Sequence, residues 1–550
     1  MGWEELQEKC KAKKIAQRDA IPRDLILKES PPDSQTNVLD VPKQCGLLTS
    51  TELEITELDD VNELLARLAN GTWSAVDVTS AYCKRAMIAH QLTNCLSEFW
   101  IKDALSQAHQ LDESLRKTGP VGPLHGLPIS LKDQFDVGGK ENNMGLATWL
   151  GRISDEDASL VKILRAAGAV IYTRTNVPMT LMMPETVNHV YGRTVNPRNR
   201  TLTSGGSSGG EAALLALKGS PLGVGTDLGG SIRNPAALNN LYGLRPTMRR
   251  LPYLGASNTL LGQESIESSL GPIARSLAAC STFFKAIIDG APWDYDPKVV
   301  EIKWREDMYQ LKQLGGKGSK LCFGYYDYDG VVMPQPPVRR AIALTVEALK
   351  RAGHTVIEFP PLNHAEALSI LQRTFASDNG EEFKRLFGES KEPLLPGIDD
   401  VSKFPPITVN EAWQLNLERD AFRRRYLDAW LATKQVSGTG RPIDGLICPV
   451  APFPPPPHGQ YIYAGYTCVF NVLDMPSAVV PVTFVDASVD LPDRAYIPKN
   501  ELDKAVHEMY DSPDTFKDAP VGVQIVGRRW REEEVLGVAN VVDEALQAVR

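Results

Sequence analysis

The chain has 550 residues, 43% hydrophobic and 23% charged, the balance of a soluble globular protein and not of a disordered one. Its formal charge is −9, from 59 basic and 68 acidic residues, so no long-range attraction draws it to nucleic acid or anionic lipid. No run of about 18 apolar residues is present, which argues against a membrane-spanning helix. The densest basic groups, Lys11, Lys13 and Lys14 and Arg423 to Arg425, read as solvated helix faces. Eight cysteines, at 10, 45, 83, 95, 280, 322, 448 and 468, show no CxxC spacing and read as buried thiols of a reducing compartment. The eight histidines form no HExxH and no close pair, so a zinc site has little support and no metal is expected. MGWEELQEKC lacks an apolar signal core, and Leu6 breaks the myristoylation pattern after Gly2. DEALQAVR carries no obvious address. A cytoplasmic location is the expectation.

In chain order, residues 1–45 are polar and read as a short helix or two on a loose arm. Val61, Leu64, Leu65 and Leu68 give helical periodicity over 59–70, with Gly71 as a stop. Ser74, followed three residues later by Asp77, caps an amphipathic helix running to about Leu92. LPISLKD (127–133) reads as a buried strand, 157–167 as a helix closed by Gly168, and 170–173 as the next strand. Helix, glycine and strand in alternation mark an α/β fold. Residues 341–353 read as a helix, 354–359 as a strand, 386–406 as a surface loop or insertion, and APFPPPPHG (451–459) as a rigid connector. VGVQIVG (521–527) is a late buried strand, and EEEVLGVANVVDEAL the final helix. With strands at both ends and no internal repeat, 1–550 reads as one domain. Its parts are an N-terminal arm and helices (1–58), a helical part (59–115), a core (116–280) and the remainder (281–550).

Three features carry chemistry. GGSSGGEAALLAL (205–217) sets two serines between glycine pairs before an apolar helix, whose first N–H groups are unpaired. GVGTDLGGSIRNP (223–235) ends a strand in a second Gly-Gly-Ser, and Ser231 follows Ser207 by 24 residues, too regular for flexible linkers. Lys132 ends the apolar stretch LPISLK, where a lysine is costly unless paired, neutral or snorkelling to water. A rival motif overlaps the first loop. Gly205-Gly206-Ser207-Ser208-Gly209 fits the G-x-S-x-G elbow of α/β-hydrolase esterases, which would require a downstream acid such as Asp444 and a base such as His458 or His507.

Residues 205–247 closely resemble the amidase signature, and 120–139 resemble the block that carries that family's lysine. The similarity continues through 175–199, 249–256 and 519–536. CKRAMIAHQLTNC and FNVLDMPSAVVPVTF are similar to fungal acetamidases and general amidases. The resemblance implies an α/β amidase signature fold, with one large mixed central sheet covered by helices on both faces. It implies hydrolysis of small or moderate carboxylic amides through an acyl-serine intermediate, with no metal or organic cofactor, by Ser231 as nucleophile, Ser207 as bridging serine (joined to Gly206 by a cis peptide in the family) and Lys132 as base. It further implies an oxyanion hole from the N–H groups of Leu228, Gly229, Gly230 and Ser231, a substrate contact at Leu181, and support from Asp227 and Arg233. Met182 and Met183, where the family varies, are expected to shape the pocket together with loops 181–191, 255–265 and 386–406. A homodimer is within what the resemblance allows. A glutaminase subunit of a tRNA-dependent amidotransferase is a second reading of the same chemistry, although no basic run suits tRNA. A catalytically silent scaffold is a third reading, and the intact trio argues against it.

Overall fold

Segments far apart in the chain contribute strands to a single sheet. A computed structural model of the protein describes residues 2–316, 318–396, 398 and 405–549. The strands are β1 (Leu96–Phe99), β2 (Pro128–Lys132), β3 (Val170–Thr175), β4 (Val187–Asn188), β5 (Gly192–Arg193), β6 (Leu222–Asp227), β7 (Tyr242–Arg245), β8 (Ser269–Ala274), β9 (Cys322–Tyr325), β10 (Thr355–Glu358), β11 (Gly445–Pro449), β12 (Ser477–Phe484) and β13 (Pro520–Val526). Eleven of them pair in the order β1-β3-β2-β6-β8-β7-β12-β13-β11-β9-β10, while β4 and β5 form a separate pair.

The sheet is mixed. β3, β2 and β6 run parallel, as do β11, β9 and β10, and the strands between these two blocks pair antiparallel. Strands β2, β3, β6, β8, β11 and β13 are buried along their whole length. They carry near-continuous apolar runs because helices pack around the sheet and leave its central strands no solvated face.

The helix expected over 59–70 and the Ser74 cap both form, and the first helix has a cap of its own outside that expectation. Asp60 caps Val61–Ala69, and its carboxylate accepts from the N–H groups of Asn62 and Glu63. Ser74 caps Ala75–Thr93 by accepting from the Asp77 N–H. That second helix is buried around most of its circumference and is not amphipathic, because it lies between the N-terminal helices and the sheet. The helix over Pro336–Arg351 starts before residue 341, with proline in its first turn, where a missing N–H costs nothing.

The N-terminal region is not a loose arm. Trp3–Asp19 is a helix that buries Leu6 and Cys10 against Ala147, Val190 and Tyr191. Gln17 donates to the carbonyls of Leu96 and Ser97, both at 2.9 Å. The segment reads as polar because only one narrow stripe is buried. Two of the basic residues assigned to solvent also turn inward: Lys13 pairs with Glu98 and Glu141, and Arg423 donates to the Val472 carbonyl.

The 451–459 stretch is largely buried, and the Pro456 carbonyl accepts from Thr203 at 2.9 Å, so it packs as part of the core. In the expected 386–406 loop, 386 and 387 complete the helix Glu381–Phe387, while 397 and 399–404 lie outside the described residues. All eight cysteines are unpaired, seven of them buried. Among the described residues, no helix is long and apolar enough to cross a membrane.

Candidate active site

β2 and β6 are adjacent and parallel, in register at Leu131 and Val224, so their carboxyl ends emerge together. Open α/β sheets characteristically present their chemistry at such ends. Lys132 is the last residue of β2 and is 0% exposed, which rules out a lysine snorkelling to water. Its Nζ lies 2.6 Å from Ser207 Oγ and 2.7 Å from Thr226 Oγ1. Burial pushes the amine down from 10.5 to about 7, against the opposing pull of the Asp227 and Glu211 charges.

Ser207 stands two residues before the helix Gly209–Ala216, and the Gly206–Ser207 peptide is cis. Gly206 has no alternative: a Cβ there would lie 2.6 Å from the Met183 carbonyl oxygen and 2.8 Å from the Glu185 nitrogen. The Ser208 N–H donates to the Ser231 carbonyl at 3.2 Å, tying the two Gly-Ser loops together. Glu211, inside that helix, is fully buried, and burial pushes its carboxyl up to about 8 while Ser130 and Thr175 hydroxyls donate to it.

The second loop is held by one carboxylate. Asp227 Oδ1 accepts from the Gly230 N–H (2.8 Å), Asn471 Nδ2 (2.9 Å) and Arg233 Nη2 (3.0 Å). Its Oδ2 accepts from Arg233 Nε (3.0 Å) and the Ile232 N–H (3.2 Å). Burial alone would raise its pKa, but the Arg233 guanidinium holds it well below the usual carboxylate range. Arg233 is satisfied in turn by the Thr467 carbonyl, Gln524 Oε1 and Asn471 Oδ1.

The Gly229–Gly230 peptide is gripped at both ends. Its carbonyl accepts from Thr467 Oγ1 at 2.7 Å and Cys468 Sγ at 3.2 Å, while its N–H faces Asp227. Gly230 has φ +132°, and a Cβ there would sit 2.3 Å from Thr467 Oγ1, so only glycine fits. This corrects one expectation: the Gly230 N–H is already spent. Among the described residues, the N–H groups of Leu228, Gly229 and Ser231 have no acceptor.

The amidase family model matches residues 77–536. An acetamidase of Aspergillus oryzae is 44% identical over 99% of both chains, and an acetamidase of Emericella nidulans is 43% identical over 99% of this chain and 98% of its own. The chain belongs to the amidase signature family. A solved fatty acid amide hydrolase superposes with a TM-score of 0.91 at 33% identity, covering 99% of this chain and 95% of that one. A peptide amidase from Stenotrophomonas maltophilia shares the fold at a TM-score of 0.65 and 23% identity, over 89% of this chain and 97% of its own. The protein is accordingly an amide hydrolase with the amidase signature fold.

The elbow residues are not assembled around Ser207. Asp444 accepts from the Cys322 N–H and pairs with Arg441. His458 is engaged by Glu185 at 2.7 Å and the Arg200 carbonyl at 3.1 Å, and His507 packs on Tyr496. Among the described residues, the side-chain hydrogen-bond partner of Ser207 Oγ is the Lys132 amine.

Two apolar regions flank this centre. Leu228, Leu251, Tyr253, Leu260, Leu261 and Val299 line a solvent-open cleft of about 640 Å³, which Arg249, Glu267 and Lys298 also border. Leu181 lies apart from that cleft. It is buried with Met144, Met179, Met183, Phe383 and Phe387, and Met182 packs on the same cluster. The Thr259 hydroxyl, donating to the Thr180 carbonyl at 2.8 Å, joins that cluster to the cleft wall.

Sequence reasoning missed Thr226, Gln134, Thr467, Asn471 and Gln524. Thr226 had a signal, since it directly precedes Asp227 in GVGTDLGGSIRNP (223–235). Asn471 and Gln524 lie more than 200 residues away, in stretches that carry the resemblance but mark neither residue for the site. Replacing Arg233 by Met should leave Asp227 buried and unpaired, at a cost of about 3–5 kcal/mol. An earlier urea midpoint relative to the unsubstituted protein is the expected result, and an unchanged midpoint would contradict this account of the loop.

Proposed function

We propose that the protein cleaves small to moderate carboxylic amides to a carboxylate and ammonia or an amine through an acyl-Ser231 intermediate. The observation that carries this reading is the fully buried Lys132 amine, 2.6 Å from Ser207 Oγ. A serine hydroxyl attacks poorly until a base takes its proton, and a lysine in water, with a pKa of about 10.4, is in the wrong form to do so. With the amine brought to about 7, neutral Lys132 accepts the Ser207 proton while Ser207 accepts that of Ser231. Ser231 Oγ bonds to the amide carbon, and the oxygen becomes an oxyanion. The relay then returns the proton to the leaving nitrogen, the C–N bond breaks, and ammonia or an amine departs. Water, deprotonated by the same relay, releases the carboxylate and restores Ser231.

The oxyanion falls to the N–H groups of Leu228, Gly229 and Ser231, which lack internal acceptors. Preorganised donors of this kind contribute about 3–4 kcal/mol each. Asp227, Arg233 and Thr467 hold the loop that presents them. The names of the fungal relatives support acetamide as a first substrate. The unpaired cysteines support a reducing, cytoplasmic setting. Strands drawn into one sheet from residue 96 to residue 526 support reading 1–550 as one domain.

A fluorophosphonate probe followed by peptide mapping should modify Ser231. Modification of Ser207 instead would overturn the assignment. Ser231→Ala should lower ammonia release across a graded amide series at least about a thousandfold. Because the relay needs the neutral amine, present above its pKa, kcat/KM should rise with pH through about 7 and level off above it. A flat profile between pH 5 and about 9 would remove Lys132 from the role of base.

A further inference from the structure

Gln134 lies two residues beyond Lys132 and is fully buried. Every hydrogen bond around it can be directed from one fixed point. The main-chain carbonyl of Ser257 can only accept, so the Gln134 atom 2.9 Å from it is the donor, Nε2. The other proton on that nitrogen goes to the Tyr253 hydroxyl at 3.0 Å. Oε1 therefore faces Thr226 Oγ1 at 2.6 Å, and an amide oxygen only accepts. Thr226 has a single hydroxyl proton, and Oε1 takes it. Toward the Lys132 amine, 2.7 Å away, Thr226 is left as an acceptor. A neutral amine has two N–H bonds and one lone pair. With one N–H spent on Thr226, the lone pair stays open to the Ser207 hydroxyl proton at 2.6 Å.

We propose that Gln134 is a positioning residue for amide hydrolysis: by holding Thr226 as an acceptor, it reserves the lone pair of Lys132 for Ser207. The inference rests on the reading of Lys132 as the base. Without Gln134 the Thr226 hydroxyl can turn and donate to the amine, competing with Ser207 for the one lone pair. The relay then starts only after that bond breaks, so turnover falls. A donor aimed at the neutral amine also disfavours the ammonium form, so the acid limb of the pH profile moves to lower pH. A purely structural contribution from Gln134 would lower activity and leave that limb in place.

The test is a double-mutant cycle in the full-length protein with Gln134→Met, Thr226→Val and both together, with activity expressed per site titrated by fluorophosphonate. Gln134→Met alone should lower kcat about tenfold, the scale of one hydrogen bond, and move the acid limb of kcat/KM downward. In the Thr226→Val background the same change should cost less than about twofold and leave the limb fixed. Gln134→Leu replaces Gln134→Met if the latter does not fold. The inference is overturned by an unchanged kcat, by equal losses in both backgrounds, or by a limb that stays or moves up in Gln134→Met. Lys132→Met separates the two levels. Retained activity there sinks the base itself, whereas loss of activity there alongside a failed cycle sinks only the role of Gln134.

Discussion

An amine has been taken out of water without being given a carboxylate. That constraint organises the rest of the site. Lys132 Nζ touches two hydroxyls, those of Ser207 and Thr226, and neither can repay the cost of burying a charge. The nearby carboxylates are occupied elsewhere: Asp227 with Arg233 and Asn471, Glu211 with Ser130 and Thr175. They reach the amine only at longer range, and desolvation dominates. A direct ion pair at this position would stabilise the ammonium form and leave the amine without a free lone pair.

The other half of the site has the opposite design. Asp227 and Arg233 are both fully buried and paired within a closed set of partners from β6, the helix Gly465–Leu473 and β13. Their pairing fixes main-chain geometry. It absorbs the N–H groups of Gly230 and Ile232 and, with Thr467 gripping the Gly229 carbonyl, orients the peptides between them. The site thus sets a titratable amine with no ion-pair partner beside one closed ion pair, and each environment depends on exclusion of water. The same packing that depresses the amine strengthens the clamp on the loop.

Much of this was legible in the sequence because it is local. Apolar runs ending in polar residues marked β2 and β6, and their glycines marked the tight loops at the strand ends. Ser74 and Gly71 announced helix boundaries through capping and left-handed geometry. The positions of Lys132, Ser207 and Ser231 came from the resemblance, and the spacing of 24 residues between the serines supported it. What stayed hidden depends on contacts between distant segments. No feature around Gln524 marks it as an acceptor for Arg233, and no feature of 1–45 shows that Gln17 and Lys13 dock on β1. The spent N–H of Gly230 is invisible for a different reason. Glycine at that position fits both a free donor and a clamped one, and only the direction of the Asp227 carboxylate decides between them.

The site depends most on the charge state of one side chain. Lysine labelled with carbon-13 at Cε reports the protonation of each amine by NMR, and the Lys132 resonance is assigned by its absence in Lys132→Met. Titrated in the resting enzyme, that resonance is predicted to show a midpoint near 7. A midpoint that stays near 10.4, the ordinary value of a lysine in water, would contradict the account.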